Sequence, residues 1–391
     1  LTLKLAATAQ RDPHDTRSTF SMSSKNEHPP PRPNTPAFAF SLSADIIKGW
    51  ECEQIRQEQQ MEPLRFEPIL KPKIWGGRRM EALLAKSLPP GRVIGESWEL
   101  SDHPASPSRV AGGADKGLAL RQIIERYPAD VLGSDCPAAW RQQFPILVKF
   151  LDADQPLSVQ VHPDDAFAVE HALGTGGKTE CWVVLHAEPD AWVVRGLKDG
   201  VTKDGLRQAI DEGTLEDILN RIGVKKGDFV FVPAGTVHAI GPGLLLAEIQ
   251  QTSDTTYRLW DWGRLGADGQ PRDLHVDRAL ECTHFGDAEP PSAGNKTAAS
   301  GGTACTELCN CHAFGLRRVE IEAVEWQDEA GEDFAIVVAI SGAGELASAD
   351  AASLEIRAGD TVLVPASGQP LGLRATGRLT ALVVSPPTLR V

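Results

Sequence analysis

The chain has 391 residues, 41% of them hydrophobic and 24% charged, which is the composition of a soluble globular protein with room for one large or two smaller domains. A net charge of −14 disfavours nucleic acid and anionic membranes as partners. We find no apolar run of about eighteen residues and expect no transmembrane helix. The seven cysteines are irregularly spaced, which indicates reduced thiols and a cytoplasmic location.

The first part of the chain differs from the rest. Residues 21–36 (SMSSKNEHPPPRPNTP) are rich in Pro and Ser and offer few side chains to bury. We therefore predict a disordered extension over 1–60. Because chains rarely begin with Leu, Met61 is a candidate start of translation.

From residue 64 the chain becomes rich in short apolar runs bounded by Gly, Pro and Asp, and many of these runs contain Val and Ile. Four helical patterns occupy 117–127, 164–172, 203–211 and 214–222. Many short strands with few helices favour a β-sandwich or barrel. The predicted strands are 98–100, 146–150, 157–161, 181–186, 191–195, 229–232, 244–249, 316–321, 334–341 and 361–365.

An internal repeat suggests two related units. The sequence GDFVFVPA at 227–234 recurs as GDTVLVPA at 359–366. In each copy a Gly-Asp turn enters an apolar strand that ends at Pro and a small residue. We therefore predict two barrel units, at 61–285 and 313–391. Residues 286–312 are rich in Ala, Gly, Ser and Thr and are predicted to be a surface linker.

The first copy continues into a histidine. Residues 227–238 read GDFVFVPAGTVH and fit the pattern G-x5-P-x-G-x2-H, the second motif of cupin barrels. Pro233 and Gly235 would bend the chain so that His238 points into the barrel. The copy at 359–366 has no such histidine. The predicted fold is mainly β, with two cupin-type jelly-roll barrels, of which the second is metal-free.

A metal site is predicted from residues upstream of this motif. Gln160 and His162 are two apart in a strand-like run, so both side chains face the same way. Glu180 follows a Gly-rich turn and leads into the next strand. With His238 they make a set of two imidazoles, one carboxylate and one amide oxygen, which suits Zn²⁺, Mn²⁺, Fe²⁺ or Co²⁺. An open coordination position would make the site catalytic.

These segments resemble type I phosphomannose isomerase in its short bacterial form, over about residues 62–391. The similarity lies in several long motifs that occur in the same order. They are FEPILKPKIWGG (66–77), GESWELSDHP (95–104), PILVKFLDADQPLSVQVHPDD (145–165), GKTECWVVL (177–185) and GDFVFVPAGTVHAIGPGLLLAEIQQTSDTTYRLWDWGR (227–264).

The resemblance implies an aldose–ketose isomerase that interconverts mannose 6-phosphate and fructose 6-phosphate through a cis-enediol(ate). It implies one zinc ion held by four ligands and points to three catalytic residues. The implied zinc ligands are Gln160, His162, Glu180 and His238, and the implied catalytic residues are Arg258, Glu248 and Lys178.

This chemistry needs a base that moves a proton from C2 to C1 and a cation that stabilises the developing oxyanion. Glu248 is the first choice for the base, and Lys178 is the rival because a lysine beside a dication loses its proton more readily. Arg258 can hold an enediolate or phosphate oxygen in its fork. Lys149, Ser158, Lys178 and Arg258 are predicted to bind the phosphosugar.

Two other functions compete with this one. A metal-dependent cupin of another class, such as an oxygenase, usually holds iron with more histidines, and the Gln-x-His pair with Lys178 and Arg258 argues against it. An inactive cupin that only binds phosphosugars is the other alternative, and the complete ligand set argues against it. The oligomeric state and the strictness of substrate choice stay open.

Overall fold

The computed structural model describes residues 61–266, 269–286, 296–322, 325–328, 333–347, 353–366 and 371–387. The predicted disordered extension at 1–60 lies outside these ranges. Strands dominate, as predicted. They are Leu64–Arg65 (β1), Ile69–Lys71 (β2), Glu96–Leu100 (β3), Ile146–Ala153 (β4), Val159–Val161 (β5), Glu180–Ala187 (β6), Trp192–Leu197 (β7), Leu219–Gly223 (β8), Phe229–Val232 (β9), His238–Ile240 (β10), Leu244–Gln251 (β11), Tyr257–Trp260 (β12), Lys296–Ser300 (β13), Thr303–Asn310 (β14), Gly315–Ile321 (β15), Glu325–Asp328 (β16), Ala335–Ala347 (β17), Leu354–Arg357 (β18), Thr361–Val364 (β19) and Leu371–Ser385 (β20).

The helices of the described ranges are short. Two begin at side-chain caps: Asp164 accepts from the Phe167 amide at 2.7 Å, and Thr202 accepts from the Gly205 amide at 3.1 Å. No helix in these ranges has the length and apolar composition needed to cross a bilayer. The helices are Arg79–Leu84 (α1), Leu120–Arg126 (α2), Pro128–Leu132 (α3), Ala138–Gln142 (α4), Asp165–Glu170 (α5), Lys203–Asp211 (α6) and Val276–Cys282 (α7), with a 3₁₀ turn at Leu215–Ile218.

Two sheets make the first barrel. One has the order β12-β5-β10-β7-β8 and the other the order β2-β3-β4-β11-β6-β9. Their inner faces share one apolar cluster, which includes Leu151 and Trp182 from the larger sheet and Val193 and Ile240 from the smaller one. The outer face of the smaller sheet packs on α6 and α7. The barrel interior is thus apolar at this cluster.

The sequence repeat has a structural counterpart in two turns of the same geometry. Gly227 and Gly359 have φ angles of +90° and +95°, which favour glycine. Asp228 accepts from the amide of Lys225, and Asp360 accepts from the amide of Arg357, at 2.9 and 3.0 Å. Each turn then leads into an apolar strand, β9 or β19. The prediction of two related units therefore has a physical basis in matching turns.

A nine-stranded sheet makes the second unit, with the order β1-β19-β17-β20-β15-β14-β13. In addition, β16 pairs with β20 and β18 pairs with β17. Side chains of β17 alternate between its two faces: Ile336 and Val338 pack against the first barrel, and Val337 and Ala339 face an apolar cluster of the second unit. The strand β1, at the start of the described chain, pairs with β19 near its end, with Leu64 opposite Leu363.

Two local predictions are wrong. Residues 219–222 of the predicted helix 214–222 belong to β8, because the backbone of this strand pairs with β7, with Ile222 opposite Val193. The predicted surface linker 286–312 contains the hairpin β13–β14, in which β14 pairs with β15 along its length. The strand β8 pairs with β7 across the intervening helix α6, and β13–β14 is a local hairpin built largely from small and polar residues, so local composition revealed neither.

Candidate metal centre and active site

Four polar side chains form a row across the smaller sheet of the first barrel. Arg258 on β12 lies opposite Gln160 on β5, and Gln160 lies opposite His238 on β10. His238 in turn lies opposite Arg195 on β7. Residues directly opposite each other in a ladder share one face, and His238 faces Glu180 across the barrel. We call these four residues the arginine row.

A second row crosses the facing sheet. Trp98, Lys149, Glu248 and Trp182 lie opposite one another on β3, β4, β11 and β6. All four are buried. Charged groups are rarely buried without partners, and here Lys149 and Glu248 pair with each other, with Nζ 3.1 Å from Oε1.

The metal ligands predicted from both sheets meet between these rows. His162, Glu180 and His238 are each 1% exposed, and their ligand atoms lie within 4.8 Å of one another. Nε2 of His162 is 3.4 Å from Glu180 Oε2, and Nε2 of His238 is 3.5 Å from Oε1. The three residues come from three separated segments, so only the folded barrel brings them together.

The imidazoles are set up to bind a cation. Nδ1 of His162 is 2.9 Å from the Thr255 carbonyl, and Nδ1 of His238 is 2.9 Å from the Thr236 carbonyl. A proton on each Nδ1 leaves the Nε2 lone pair free, which is the arrangement found in metal-ligating histidines. Burial, helped by the Lys178 charge, lowers the pKa of His162 to about 3, and burial also lowers that of His238. Both rings are therefore neutral, as metal binding requires.

Lys178 donates into the same cluster. Its Nζ is 2.6 Å from Glu180 Oε2 and 2.8 Å from His162 Nε2. Burial opposes the charge on Glu180, but Lys178 and the imidazoles outweigh it and hold the pKa of this carboxyl well below its usual range. The donor set of two neutral imidazoles and one ionised carboxylate thus fits a divalent ion such as zinc.

Gln160, the fourth predicted ligand, lies beside His238. Its Nε2 is 3.3 Å from His238 Nε2, and its Oε1 accepts from Ser158 Oγ at 3.0 Å. A half turn of the amide exchanges these two atoms and presents the oxygen to the cluster, with Ser158 then accepting from the amide nitrogen. Ser158 is therefore placed to orient Gln160 and is itself buried.

Glu248 is joined to the metal cluster through one indole. Trp182 Nε1 donates to Glu180 Oε1 at 3.1 Å and to Glu248 Oε2 at 3.2 Å. The other Glu248 oxygen is 3.1 Å from Lys149 Nζ. Burial and the Glu180 charge raise the pKa of Glu248, whereas Lys149 and Lys178 oppose this rise. Burial works against the Lys149 cation, but Glu248 and Glu96 outweigh it and raise its pKa.

Arg258 lies at the far end of the arginine row from Arg195. Its Nη1 donates to the Asp273 carbonyl at 2.7 Å, and its Nε is buried without a hydrogen-bond partner among the described residues. Burial, followed by the charge of Arg272, lowers its pKa. A guanidinium with unfilled donor capacity, on the strand next to Gln160, is suited to hold an oxyanion.

The structure places Lys178 and Gln160 in contact with the three clustered ligands, Ser158 on Gln160, and Lys149 on Glu248, and it puts Arg258 opposite Gln160 in the strand ladder. Three other residues of the site were missed. Trp182 could have been found, since it lies two residues after Glu180 on the same strand face. Trp98 and Arg195 carry no local signal, because their place in the two rows depends on pairing between distant strands.

A jelly-roll barrel with this donor cluster inside it defines a metal-binding cupin. The model of the catalytic domain of type I phosphomannose isomerase matches residues 64–175. Mannose-6-phosphate isomerase ManA of Bacillus subtilis is 44% identical over 222 residues, 56% of this chain and 67% of that protein. Mannose-6-phosphate isomerase of Streptococcus mutans is 35% identical over 305 residues, 78% of this chain and 92% of that protein. The chain belongs to the mannose-6-phosphate isomerase family.

Solved structures agree with this assignment. The crystal structure of mannose 6-phosphate isomerase from Bacillus subtilis superimposes with a TM-score of 0.76 at 33% identity, and the match covers 83% of this chain and 99% of that one. A zinc-bound mannose 6-phosphate isomerase shares the fold with a TM-score of 0.64 at 19% identity, covering 84% of this chain and 100% of that one.

Proposed function

We propose that the protein is an aldose–ketose isomerase that interconverts mannose 6-phosphate and fructose 6-phosphate. One observation carries this proposal beyond family membership: the Trp182 N–H is shared by Glu180 of the metal cluster and by Glu248. A metal carboxylate and a buried candidate base therefore lie side by side. Neither an oxygenase nor an inactive phosphosugar-binding cupin is favoured by the relatives that match.

Gln160, His162, Glu180 and His238 would hold one zinc ion. When bound, zinc acts as a Lewis acid that stabilises negative charge developing on the sugar oxygens. Lys178 donates to Glu180 Oε2 and to His162 Nε2. Because His162 Nε2 has a single lone pair, Lys178 would release it when zinc binds and would then be free to donate to the substrate. The chemistry of the donor set supports zinc over the harder ions calcium and magnesium, which prefer all-oxygen sites.

Glu248 is the proposed base. Its carboxylate takes the proton from C2 of the aldose and returns it to C1, through a cis-enediol(ate). A raised pKa brings the group nearer to the operating pH, where a general base is most effective, while Lys149 at 3.1 Å opposes this rise. Arg258 would stabilise the negative charge of the enediolate or of the phosphate through its free donors.

The phosphosugar would enter a locally basic interior within an acidic protein. Lys149, Ser158, Lys178 and Arg258 all border the metal cluster or the base, which supports the substrate-binding roles predicted for them. We further propose a cytoplasmic protein without nucleic acid or membrane partners. Its catalytic unit would be 61–285, and its metal-free second unit would include the hairpin β13–β14 together with 313–391.

The test is a coupled assay from mannose 6-phosphate to glucose 6-phosphate, run on native protein, on chelated protein and after zinc is restored. Activity should vanish on chelation and return with zinc. His238→Ala should lose both bound zinc and turnover by at least about 10³-fold, whereas the matched control His186→Ala, at the barrel surface, should keep both. Full activity after complete removal of metal would refute the proposal.

A further inference from the structure

Arg195 occupies a position that the proposed mechanism does not use. It ends the arginine row, directly opposite His238, and Val193, two residues earlier on β7, belongs to the interior cluster. Side chains two apart on a strand share a face, so Arg195 also faces the interior. Neighbouring strands lie about 4.8 Å apart, so this arginine lies one strand from a metal ligand.

The guanidinium of Arg195 is anchored but not saturated. Its Nε donates to the Phe231 carbonyl on β9 at 2.6 Å. Its Nη2 is buried and has no hydrogen-bond partner within the part of the chain that the structure describes. A planar fork held at one end keeps its remaining donors in a fixed direction. A buried donor left unpaired destabilises the protein, and an anionic ligand that accepts from it would remove this cost.

The surroundings of the Arg195 guanidinium differ from those of Arg79, an arginine with a structural role. Burial lowers its pKa. Burial likewise opposes the charge of Arg79, but there hydrogen bonds and charge from Asp152 and Asp154 outweigh it and raise the pKa. Arg79 is thus neutralised by carboxylates of the fold. Arg195 instead donates to a neutral carbonyl, that of Phe231. It also lines a cavity of about 270 Å³ between β8 and β9.

We propose that Arg195 binds the phosphate group of the substrate, from the side of His238 away from Arg258. The inference rests on the proposed function for the identity of the phosphosugar. The geometry of Arg195 by itself specifies only the kind of group that binds, which is an oxyanion that accepts hydrogen bonds from the free N–H groups of the guanidinium. The two arginines then flank the metal ligands from both ends of one row, so that an elongated ligand can be held at both ends.

The test compares Arg195→Gln and Arg195→Lys with Arg221→Gln. Arg221 is a matched control on β8, where its guanidinium stacks 3.7 Å above Trp192, away from the metal cluster. For Arg195→Gln we expect KM for mannose 6-phosphate and the inhibition constant of inorganic phosphate to rise at least about tenfold, or ~1.4 kcal/mol. kcat should change less than about threefold, Arg195→Lys should recover part of the loss, and Arg221→Gln should match the native protein.

Titration calorimetry with inorganic phosphate separates this inference from the proposed function. Phosphate binding that Arg195→Gln abolishes supports the inference even if the native protein shows no isomerisation. Isomerisation with phosphate binding and KM unaffected by Arg195→Gln overturns it, and so does a lack of phosphate binding by the native protein. A lower melting temperature of Arg195→Gln with unchanged KM would also overturn the inference, because Arg195 would then only stabilise β9 through its hydrogen bond to Phe231.

Discussion

Lys149 and Glu248 face each other across two neighbouring strands, and their charged atoms are 3.1 Å apart in a buried setting. Lys149 opposes the rise in the pKa of Glu248 that burial and Glu180 cause. Lys149→Met should therefore raise the pKa of the base further and move the acidic limb of kcat/KM to higher pH by at least about one unit. Lys149→Arg should restore part of the shift. A pH profile that keeps its acidic limb in Lys149→Met would show that Lys149 does not tune the base.

The choice between Glu248 and Lys178 as base can be settled by solvent exchange. Glu248→Gln keeps the shape of the side chain but cannot take a proton, so turnover should fall about 10²–10⁴-fold, with zinc content unchanged. Exchange of the C2 hydrogen of mannose 6-phosphate with deuterated water should fall equally. Glu170→Gln, an exposed change, serves as control. If exchange of the C2 hydrogen persists in Glu248→Gln and is lost in Lys178→Met, Lys178 is the general base.

Ser158 should act on the metal through Gln160. Removal of its hydroxyl in Ser158→Ala frees the amide to rotate, so zinc affinity should weaken about 10–100-fold. Titration of the apoprotein against zinc in a metal buffer measures this directly. Unchanged zinc affinity with a raised KM would instead place Ser158 on the substrate, as the sequence alone suggested.

Asp261 should stabilise the protein in a pH-dependent way. Burial opposes its charge, but Arg272 and Arg264, which donate to it at 2.6 Å each, outweigh burial and lower its pKa. A carboxyl with a lowered folded-state pKa contributes stability above its unfolded pKa of about 4, and this is lost as pH falls through the folded value. In the apoprotein, Asp261→Asn should lower the free energy of unfolding by about 2 kcal/mol at pH 7.

Urea denaturation of native and Asp261→Asn apoproteins from pH 7 to pH 3 checks this effect. The difference should be constant above about pH 5 and shrink below pH 4. A difference that stays the same down to pH 3 would show that the ionised form of Asp261 is not what stabilises the fold.

The metal cluster was predictable because its ligands lie in or next to short local patterns, and Glu180 was placed only by the Gly-rich turn before it. His238 follows the Gly-Asp turn and the Pro-x-Gly bend, and Gln160 and His162 alternate on one strand. Most strands and three helices were also predictable from local periodicity and caps such as Asp164. Family resemblance, not pattern, supplied Glu248 and Arg258.

Strand pairing set the limit of prediction. The sequence around Arg195, a Val-rich strand, contains no motif that marks this arginine as functional. Only its register opposite His238 places it next to the metal ligands. The same limit explains β8, which pairs with β7 across an intervening helix, whereas the hairpin β13–β14 was missed because its small and polar residues resemble those of a loop. A pattern with a period of two indicates which residues share a face but not which strand lies beside them.

The pairing of β1 with β19 has a consequence for how the protein can be divided. The outer face of the larger sheet of the first barrel, with Phe150 and Val148, shares one core with Ile336 and Val384 of the nine-stranded sheet. Expression of residues 61–285 by themselves would expose that face to water and leave β1 without its neighbour. A fragment of this kind should aggregate, and we therefore expect the first barrel to need the nine-stranded sheet as a permanent cover.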